Sequence, residues 1–315
     1  MAGFTTSANE HLIRSNLWST QIKETLEEEL FAQQYVDMIT DFPDGDTLNI
    51  PSLGQAEIRD YVEGQSVTYT AMDTGNFTFT ITEYKASATY ITEKMKQDTF
   101  YMSRLVGSFV PKQARVIAEA MEEDVLAVGP DGQTASDLNA INGANHRFVG
   151  GGTNEVMALN DFALAKYALR KANVPMTNLI AIVDPSVEFE LSTLVTTTYD
   201  ANPYWERIVQ DGMSTGMRFF NTIYGFDVYV SDFLKSGIAE TVNSVSTTVG
   251  VANIFFSATQ DILPFVGNVR QAPKVDSEYN KDLQREEYVT TARWGYKLYR
   301  PENIVTVLTD TDKVA

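Results

Sequence analysis

An extended, threonine-rich stretch over residues 47–92, with few apolar side chains to bury, constrains the fold of this chain most strongly. Within it, residues 66–70 and 77–82 alternate polar and apolar side chains with the period of two that indicates β-strands. Residues 73–76 between them have a composition that favours a turn, so we predict a β-hairpin. Because an isolated two-stranded ribbon is marginally stable, we expect the hairpin to lie on its own domain or on another chain.

Residues 1–41 carry the spacing of an amphipathic helix with an acidic side, and a turn is predicted over residues 42–46. The apolar residues that recur at intervals of three and four are Leu17, Trp18, Ile22, Leu26, Leu30, Phe31 and Met38. The pattern has two interpretations. One is a helix on the surface of its own domain, and the other is an arm that completes its packing on a neighbouring subunit.

The strongest helical pattern spans residues 95–128, where apolar residues form a stripe over several turns. Proline removes a backbone donor, so Pro111 is expected to divide this region into a short and a longer helix. The longer helix is expected to end at Gly129 and Pro130. Residues 129–154 are rich in glycine and asparagine and predict a long loop.

The middle of the chain alternates helical and extended patterns, as a layered α/β block does. Helices are predicted over residues 160–173, with Asn160 as the N-cap, and from residue 184 onward. Strands are predicted over residues 179–183, 225–230 and 252–256. After Pro264 the sequence predicts two long strands, 266–279 and 284–299, and a last strand over 304–308.

Composition and motifs argue against an enzyme. The formal net charge is −18, which disfavours binding of nucleic acid through a basic surface. The chain has no cysteine and only two histidines, His11 and His146, both expected to be exposed. Phosphate-binding, dinucleotide and hydrolase motifs are absent, and the acidic clusters do not match a calcium loop. We therefore predict no catalytic, cofactor-binding or metal-binding residues.

No apolar run approaches the length needed to cross a bilayer, and no secretory signal is recognisable at the N-terminus. We therefore expect a protein that makes no contact with a membrane and is produced in a cytoplasm.

Several segments in a fixed order resemble the major capsid protein of tailed double-stranded DNA bacteriophages, which has the Hong Kong 97-type fold. Residues 112–126 are similar to the spine helix of its peripheral (P) domain. Residues 174–194 resemble the start of its axial (A) domain, and residues 225–231 resemble a strand of that domain. Residues 294–305, with the sequence WGYKLYRPENIV, resemble its closing strand.

The resemblance implies an α+β fold with five parts. These are an N-terminal arm (1–46), an E-loop hairpin (47–92), a P domain with the spine helix (93–154), an A domain (155–264) and the closing strands of the P domain (265–315). It also implies that the E-loop lies over an adjacent subunit, which would explain a hairpin that buries little.

The resemblance implies a structural virion protein and no enzyme. The chain would assemble with itself into pentamers and hexamers that form an icosahedral phage head in the host cytoplasm. Expected partners are a scaffolding protein, a portal and a cement or decoration protein, with double-stranded DNA enclosed without sequence-specific binding. No cofactor is implied.

Subunit contacts are predicted on the N-terminal helix, the hairpin and one loop of the A domain. The predicted contact residues are Trp18, Ile22, Leu26, Leu30, Val67, Tyr69, Phe77, Phe79, Ile81, Tyr199 and Tyr204. Some members of the family cross-link their shells through a lysine in the E-loop. This chain has no lysine between Lys23 and Lys85, so a shell without covalent cross-links is predicted.

Two other functions remain open at this stage. The nearer one is the shell of a bacterial encapsulating nanocompartment, which has the same fold and encloses an enzyme. The other belongs to a different class, a soluble α/β hydrolase that uses carboxylates.

Overall fold

The computed structural model describes residues 30–40, 45, 47–53, 60, 63–64, 66, 74–98, 102–133, 139–198 and 222–310. Fifteen strands and four α-helices are assigned within these ranges. The strands are β1 (Val36–Met38), β2 (Thr47–Leu53), β3 (Thr74–Thr80), β4 (Glu83–Thr92), β5 (Ala140–Ile141), β6 (Ala144–Asn145), β7 (Arg147–Val149), β8 (Leu179–Val183), β9 (Thr222–Ile223), β10 (Phe226–Val230), β11 (Ile238–Val242), β12 (Val245–Ser257), β13 (Phe265–Asn280), β14 (Arg285–Leu298) and β15 (Ile304–Asp310). The helices are α1 (Glu93–Asp98), α2 (Met102–Gly132), α3 (Leu159–Lys171) and α4 (Pro185–Thr198).

A mixed seven-stranded sheet in the order β7-β15-β12-β8-β10-β9, with β11 paired to β12, forms the centre of the molecule. Strand β8 is buried along its whole length because both faces of the sheet are covered. Leu179, Ala181 and Val183 pack with α3 and α4 on one face. Ile180 and Ile182 face the opposite side, where they share a cluster with Leu126 of α2. The sheet therefore separates α3 and α4 from α2.

A second sheet has four strands in the order β1-β13-β14-β4. Helix α2 lies on it through Ile117 and Met121, which pack against Ala292 and the fully buried Trp294 of β14. The N-terminal part of the described chain joins the same sheet, because β1 pairs in parallel with β13. Strands β2 and β3 form a separate two-stranded ribbon.

The long helix is continuous through Pro111, so the predicted division at this proline is wrong. Its predicted end at Gly129 and Pro130 is also wrong, because α2 continues to Gly132. A β-carbon at position 129 would lie 2.3 Å from Ile304 Cδ1, and one at position 132 would lie 2.7 Å from Leu298 Cδ2. Both glycines thus allow close packing of the helix, and this packing outweighs their weak helix propensity.

The predicted N-terminal helix is wrong for residues 32–40, and its residues before Leu30 and residue 41 lie outside the described part of the chain. Ala32–Tyr35 form a single 3₁₀ turn and Val36–Met38 form β1. Pairing with β13 satisfies the backbone groups of these three residues. The helical spacing of Met38 is therefore a coincidence of composition.

The predicted hairpin is partly wrong in its pairing. Strand β3 pairs with β2, from Thr80 opposite Thr47 to Thr74 opposite Leu53. The predicted turn therefore fails at residues 74–76, which are extended because β2 pairs with them. The predicted partner strand 66–70 lies outside the described residues except for Ser66.

The alternating middle block and the three closing strands are confirmed. Two details differ, and the first is that the predicted loop over 129–154 contains the end of α2 and strands β5 to β7. The second is the start of α3, where Ala158 rather than Asn160 is the N-cap. The Asp161 carboxylate, in the first turn of the helix, accepts the backbone N–H of Ala158 at 2.8 Å and so satisfies the backbone donor of the N-cap residue itself.

Candidate functional site

Within the residues that the structure describes, no group of three or more histidine and acidic side chains is placed to bind a metal ion. A search of the described helices finds none with the length and apolar character needed to span a bilayer. The predicted function depends on surfaces and on the contacts that hold them in place.

The base of the β2–β3 ribbon is fixed to the body of the chain. Phe79 and Ile81 are 0% and 5% exposed and pack against Val266 of β13. Phe77 makes an edge contact with Tyr299, with ring centroids 4.9 Å apart. Lys297 Nζ donates to the carbonyl of Thr78 at 2.6 Å and lies 4.9 Å from the Phe77 ring. The ribbon therefore leaves the body at a defined place.

The structure gives the burial of four predicted contact residues. Phe79 and Ile81 are buried within this chain, whereas Phe77 and Leu30 are half-buried. The other predicted contacts, Trp18, Ile22, Leu26, Val67, Tyr69, Tyr199 and Tyr204, lie outside the described residues. The predicted role of the set in subunit contact stays a prediction.

The chain enters the described fold at an anchor on α2. Glu122 is fully buried, and its Oε1 accepts the backbone N–H groups of Phe31 and Ala32 at 2.8 and 2.6 Å. Phe31 also stacks on Tyr229 of β10, with ring centroids 5.4 Å apart. The described chain therefore begins on the α2 side of the central sheet. Sequence patterning did not identify Glu122, because a glutamate on a helix is usually solvated.

The first lysine after the lysine-free stretch is held in an ion pair. Lys85 Nζ lies 2.9 Å from Asp124 Oδ2, which also accepts Trp294 Nε1–H at 2.8 Å. The same ammonium group lies 5.4 Å from the centroid of the Trp294 ring. These contacts fix the first residues of β4 against α2 and β14.

His146 and Arg147 are buried, at 1% and 4% exposure, so the prediction that His146 is exposed is wrong. Arg147 forms two hydrogen bonds to the Glu240 carboxylate, at 2.8 and 2.7 Å, and donates to the carbonyl of Pro130 at 2.9 Å. Burial lowers the pKa of His146. The sequence suggested a loop because of its glycines, but pairing of β7 with β15 draws these residues into the sheet.

A cavity of about 430 Å³ opens between the end of α2, the start of β4 and the end of β14. Three carboxylates line it, and each contacts a lysine. Asp124 and Glu83 pair with Lys85, and Asp131 pairs with Lys235. Each carboxylate that lines this cavity therefore lies within ion-pair distance of an ammonium group.

Comparison with known proteins gives the family. The sequence matches the profile described as "Phage capsid protein" over residues 74–307, most of the chain. The chain belongs to the phage capsid protein family. No curated protein matches the sequence.

Solved capsid structures share the fold over nearly the whole chain. The capsid structure of the cyanophage P-SCSP1u is 13% identical, has a TM-score of 0.70 and covers 97% of this chain and 94% of its own. A structure from Mycobacterium phage Che8 is 15% identical, with a TM-score of 0.65 and coverage of 94% and 97%. The capsid of a native GTA particle is 13% identical, with a TM-score of 0.63 and coverage of 98% and 100%.

The α+β fold is therefore the Hong Kong 97-type capsid fold, and the protein is a structural protein of a phage head. Membership of this family places the protein in the capsid of a virion. It also indicates self-assembly into an oligomeric shell.

Proposed function

We propose that the protein assembles into pentamers and hexamers that close an icosahedral phage head around double-stranded DNA. The observation that carries this proposal is the β2–β3 ribbon. Within the described residues the ribbon consists of two strands. Phe79 and Ile81 at its base pack on the body of the chain, whereas Gly75 and Asn76 toward its other end are exposed. A ribbon of this kind is marginally stable alone, so an adjacent copy would provide the missing contact surface.

The parts of the chain take the roles that the resemblance implies. Residues 1–46 form the N-terminal arm, 47–92 the E-loop, and 93–154 and 265–315 the P domain, while 155–264 form the A domain around which capsomers close. Each contact is repeated by symmetry, so modest interfaces give a cooperative shell. The predicted contact residues on the arm, the E-loop and the loop at 199–204 would form these interfaces.

The proposed partners are a scaffolding protein, a portal and a cement or decoration protein, and assembly takes place in the host cytoplasm. The role is structural and does not include catalysis. DNA is enclosed without sequence-specific contacts. The net charge of −18 supports this, because tight binding of phosphates depends on clustered lysine and arginine.

Negative-stain microscopy and sedimentation of the purified full-length chain test the proposal. We expect closed shells, or rings of five and six copies. A chain that remains a monomer at high concentration, with residues 47–92 protected from protease, would overturn it. Copurification separates the two shell functions, because DNA with a portal supports a phage head and a bound enzyme indicates a nanocompartment.

A further inference from the structure

Helix α3 presents a cationic face that is unusual in so acidic a chain. Its buried side consists of Phe162, Ala165, Ala168 and Leu169. The opposite side, which we call the α3 cationic face, consists of Leu164, Lys166, Tyr167, Arg170 and Lys171. Leu164 and Tyr167 are 43% and 51% exposed. Three positive charges within six residues thus surround two exposed apolar side chains.

The cations of this face lack ionic partners within the described part of the chain, where none of the three lies within ion-pair distance of a carboxylate. Lys166 Nζ donates to the carbonyl of Tyr224 at 2.6 Å, and Lys171 Nζ lies 5.8 Å from the Tyr167 ring. Six other cations, Lys85, Lys96, Arg115, Arg147, Lys235 and Arg285, each lie within ion-pair distance of a carboxylate. The negative end of the helix dipole favours cations such as Arg170 and Lys171 in the last turn. It does not account for Lys166, which lies one turn earlier.

A cavity of about 380 Å³ adjoins the face. Leu164 and Tyr167 line it together with Phe148 and Ala144, so it can accept an apolar side chain. The surface therefore favours an acidic peptide that carries an apolar residue. A phosphate backbone would match its charge but would leave the apolar cavity unfilled.

Residues 24–29 of this chain, ETLEEE, have this composition. The segment carries Glu24, Glu27, Glu28 and Glu29 without a cation, and Leu26 lies among them. It lies outside the described residues and directly precedes Leu30. Its charge complements that of the α3 cationic face, and Leu26 matches the adjoining cavity.

The anchor of the N-terminal segment and α3 lie on opposite faces of the central sheet. Glu122 of α2 and Tyr229 hold the chain at Phe31 and Ala32, whereas α3 packs on the other face. Tyr229 belongs to β10, which lies beside the edge strand β9, and Lys166 of α3 contacts Tyr224 in the turn between these two strands. The choice of a neighbouring copy rests on the proposed assembly, in which the N-terminal arm contacts an adjacent subunit, and a cross-link between two different chains tests it.

We propose that residues 24–29 of one copy bind the α3 cationic face of a neighbouring copy. This inference rests on the proposed assembly and identifies one contact within it. Lys166, Arg170 and Lys171 pair with the glutamates, and Leu26 enters the cavity beside Tyr167.

Disulfide trapping between two different chains tests the contact, because the sequence has no cysteine of its own. One chain carries Glu28→Cys and the other, lengthened by a tag, carries Lys171→Cys. After coassembly and mild oxidation we expect a disulfide-linked dimer whose mass shows one chain of each kind. The matched control replaces Lys171→Cys by Lys94→Cys, at an exposed lysine of α1. Equal yields of mixed dimer from the two pairs would overturn the proposal.

A charge exchange gives an independent test on the full-length chain. Lys166→Glu, Arg170→Glu and Lys171→Glu together are expected to lower the assembled fraction at least about tenfold, because like charges in an interface strongly disfavour association. Glu24→Lys, Glu27→Lys and Glu28→Lys in the same chain are expected to restore assembly. Circular dichroism of each variant shows whether it has folded, and restoration by the second set requires a folded chain.

The outcomes distinguish the inference from the proposed function. A wild-type chain that does not assemble contradicts the proposed function, and with it this inference. If the wild-type chain assembles and the first set of substitutions changes nothing, only the inference is overturned. Normal assembly with loss of retained DNA would also overturn it, since the face would then bind nucleic acid.

Discussion

Single polar residues, buried or half-buried, join parts of this molecule whose contact local sequence patterns do not predict. Glu122 joins the incoming N-terminal segment to α2, and Asp124 joins Lys85 of β4 to Trp294 of β14. Arg147 joins β7 to β11 and to the end of α2. In each case the hydrogen bonds satisfy a charge that would be costly to bury alone.

The Arg147–Glu240 pair leads to a prediction for stability. Both side chains are less than 10% exposed, at 4% and 7%, so Arg147→Ala leaves the Glu240 carboxylate buried without its partner. We expect the free energy of unfolding to fall by about 3 to 5 kcal/mol, measured by chemical denaturation. Lys281→Ala, at an exposed position in the β13–β14 turn, serves as the control and should change it by less than about 0.5 kcal/mol. A loss of stability no greater than that of the control would contradict the role of this pair.

His146 predicts a dependence of stability on pH. Burial lowers the pKa of its imidazole below the ordinary value of 6.5, while the backbone carbonyl of Ala144 opposes the shift. Below pH 6.5 the unfolded chain therefore binds a proton that the folded chain does not, so stability from this group decreases as the pH falls. Unfolding measured from pH 7.5 to 5 should show a steeper decrease for the wild type than for His146→Gln. Parallel curves for the two proteins would rule out this contribution.

The extended elements depend on close contacts between backbones. The base of the β2–β3 ribbon crosses β14 at Gly295, where a β-carbon would lie 2.9 Å from Ile81 Cα and 3.0 Å from the carbonyl oxygen of Thr80. A side chain at this position would meet backbone atoms, which cannot rotate away as the end of a side chain can. The position of the ribbon base thus depends on the absence of a side chain at Gly295.

Gly295→Ala is expected to displace the base of the ribbon. The cost should be about 1 to 3 kcal/mol of unfolding free energy, as for other overpacked sites. Limited proteolysis should also cut residues 47–92 faster than in the wild type, because Phe79 and Ile81 would lose their packing against Val266. Val289→Ala, a half-buried position of the same strand, tests whether any substitution in β14 has this effect. Unchanged cleavage in Gly295→Ala would show that the ribbon is held elsewhere.

At the scale of the whole molecule, the chain combines a closed core with extended parts that bury little. The central sheet is covered on both faces, whereas the two-stranded ribbon and the outer half of the β13–β14 hairpin are largely exposed. A phage capsid protein with this distribution is suited to repeated contacts with identical neighbours, each of modest strength.

Assembled shells are expected to dissociate into single chains on a denaturing gel. Residues 24–84 contain no lysine, and Lys85 is held by Asp124 and Trp294 at the root of the E-loop, so no lysine is available along the ribbon to form a cross-link. A band at the size of one chain is the expected result for boiled, reduced particles. Covalent ladders of five and six chains would contradict it, and mass spectrometry of their cross-linked peptides would locate the bond.

The sequence alone indicated the order of most elements, and its resemblance to phage capsid proteins indicated the fold class. Strands such as β8, β10 and β15 have apolar patterns from which they are predicted correctly. The long strands β13 and β14 lie close to their predicted bounds. The absence of cysteine, the two histidines and the lysine-free stretch could likewise be read directly. These properties depend on residue type and local spacing.

Tertiary structure alone decided which segments pair and which polar residues are buried. It paired β3 with β2, carried α2 through Pro111, made β1 a strand and enclosed His146 and Arg147. It also showed Glu122 as an anchor and, among the described residues, placed no carboxylate within ion-pair distance of the three cations of α3. The physical reason is that backbone pairing and burial of charge depend on residues far apart in the chain, whose proximity is set only when the elements pack.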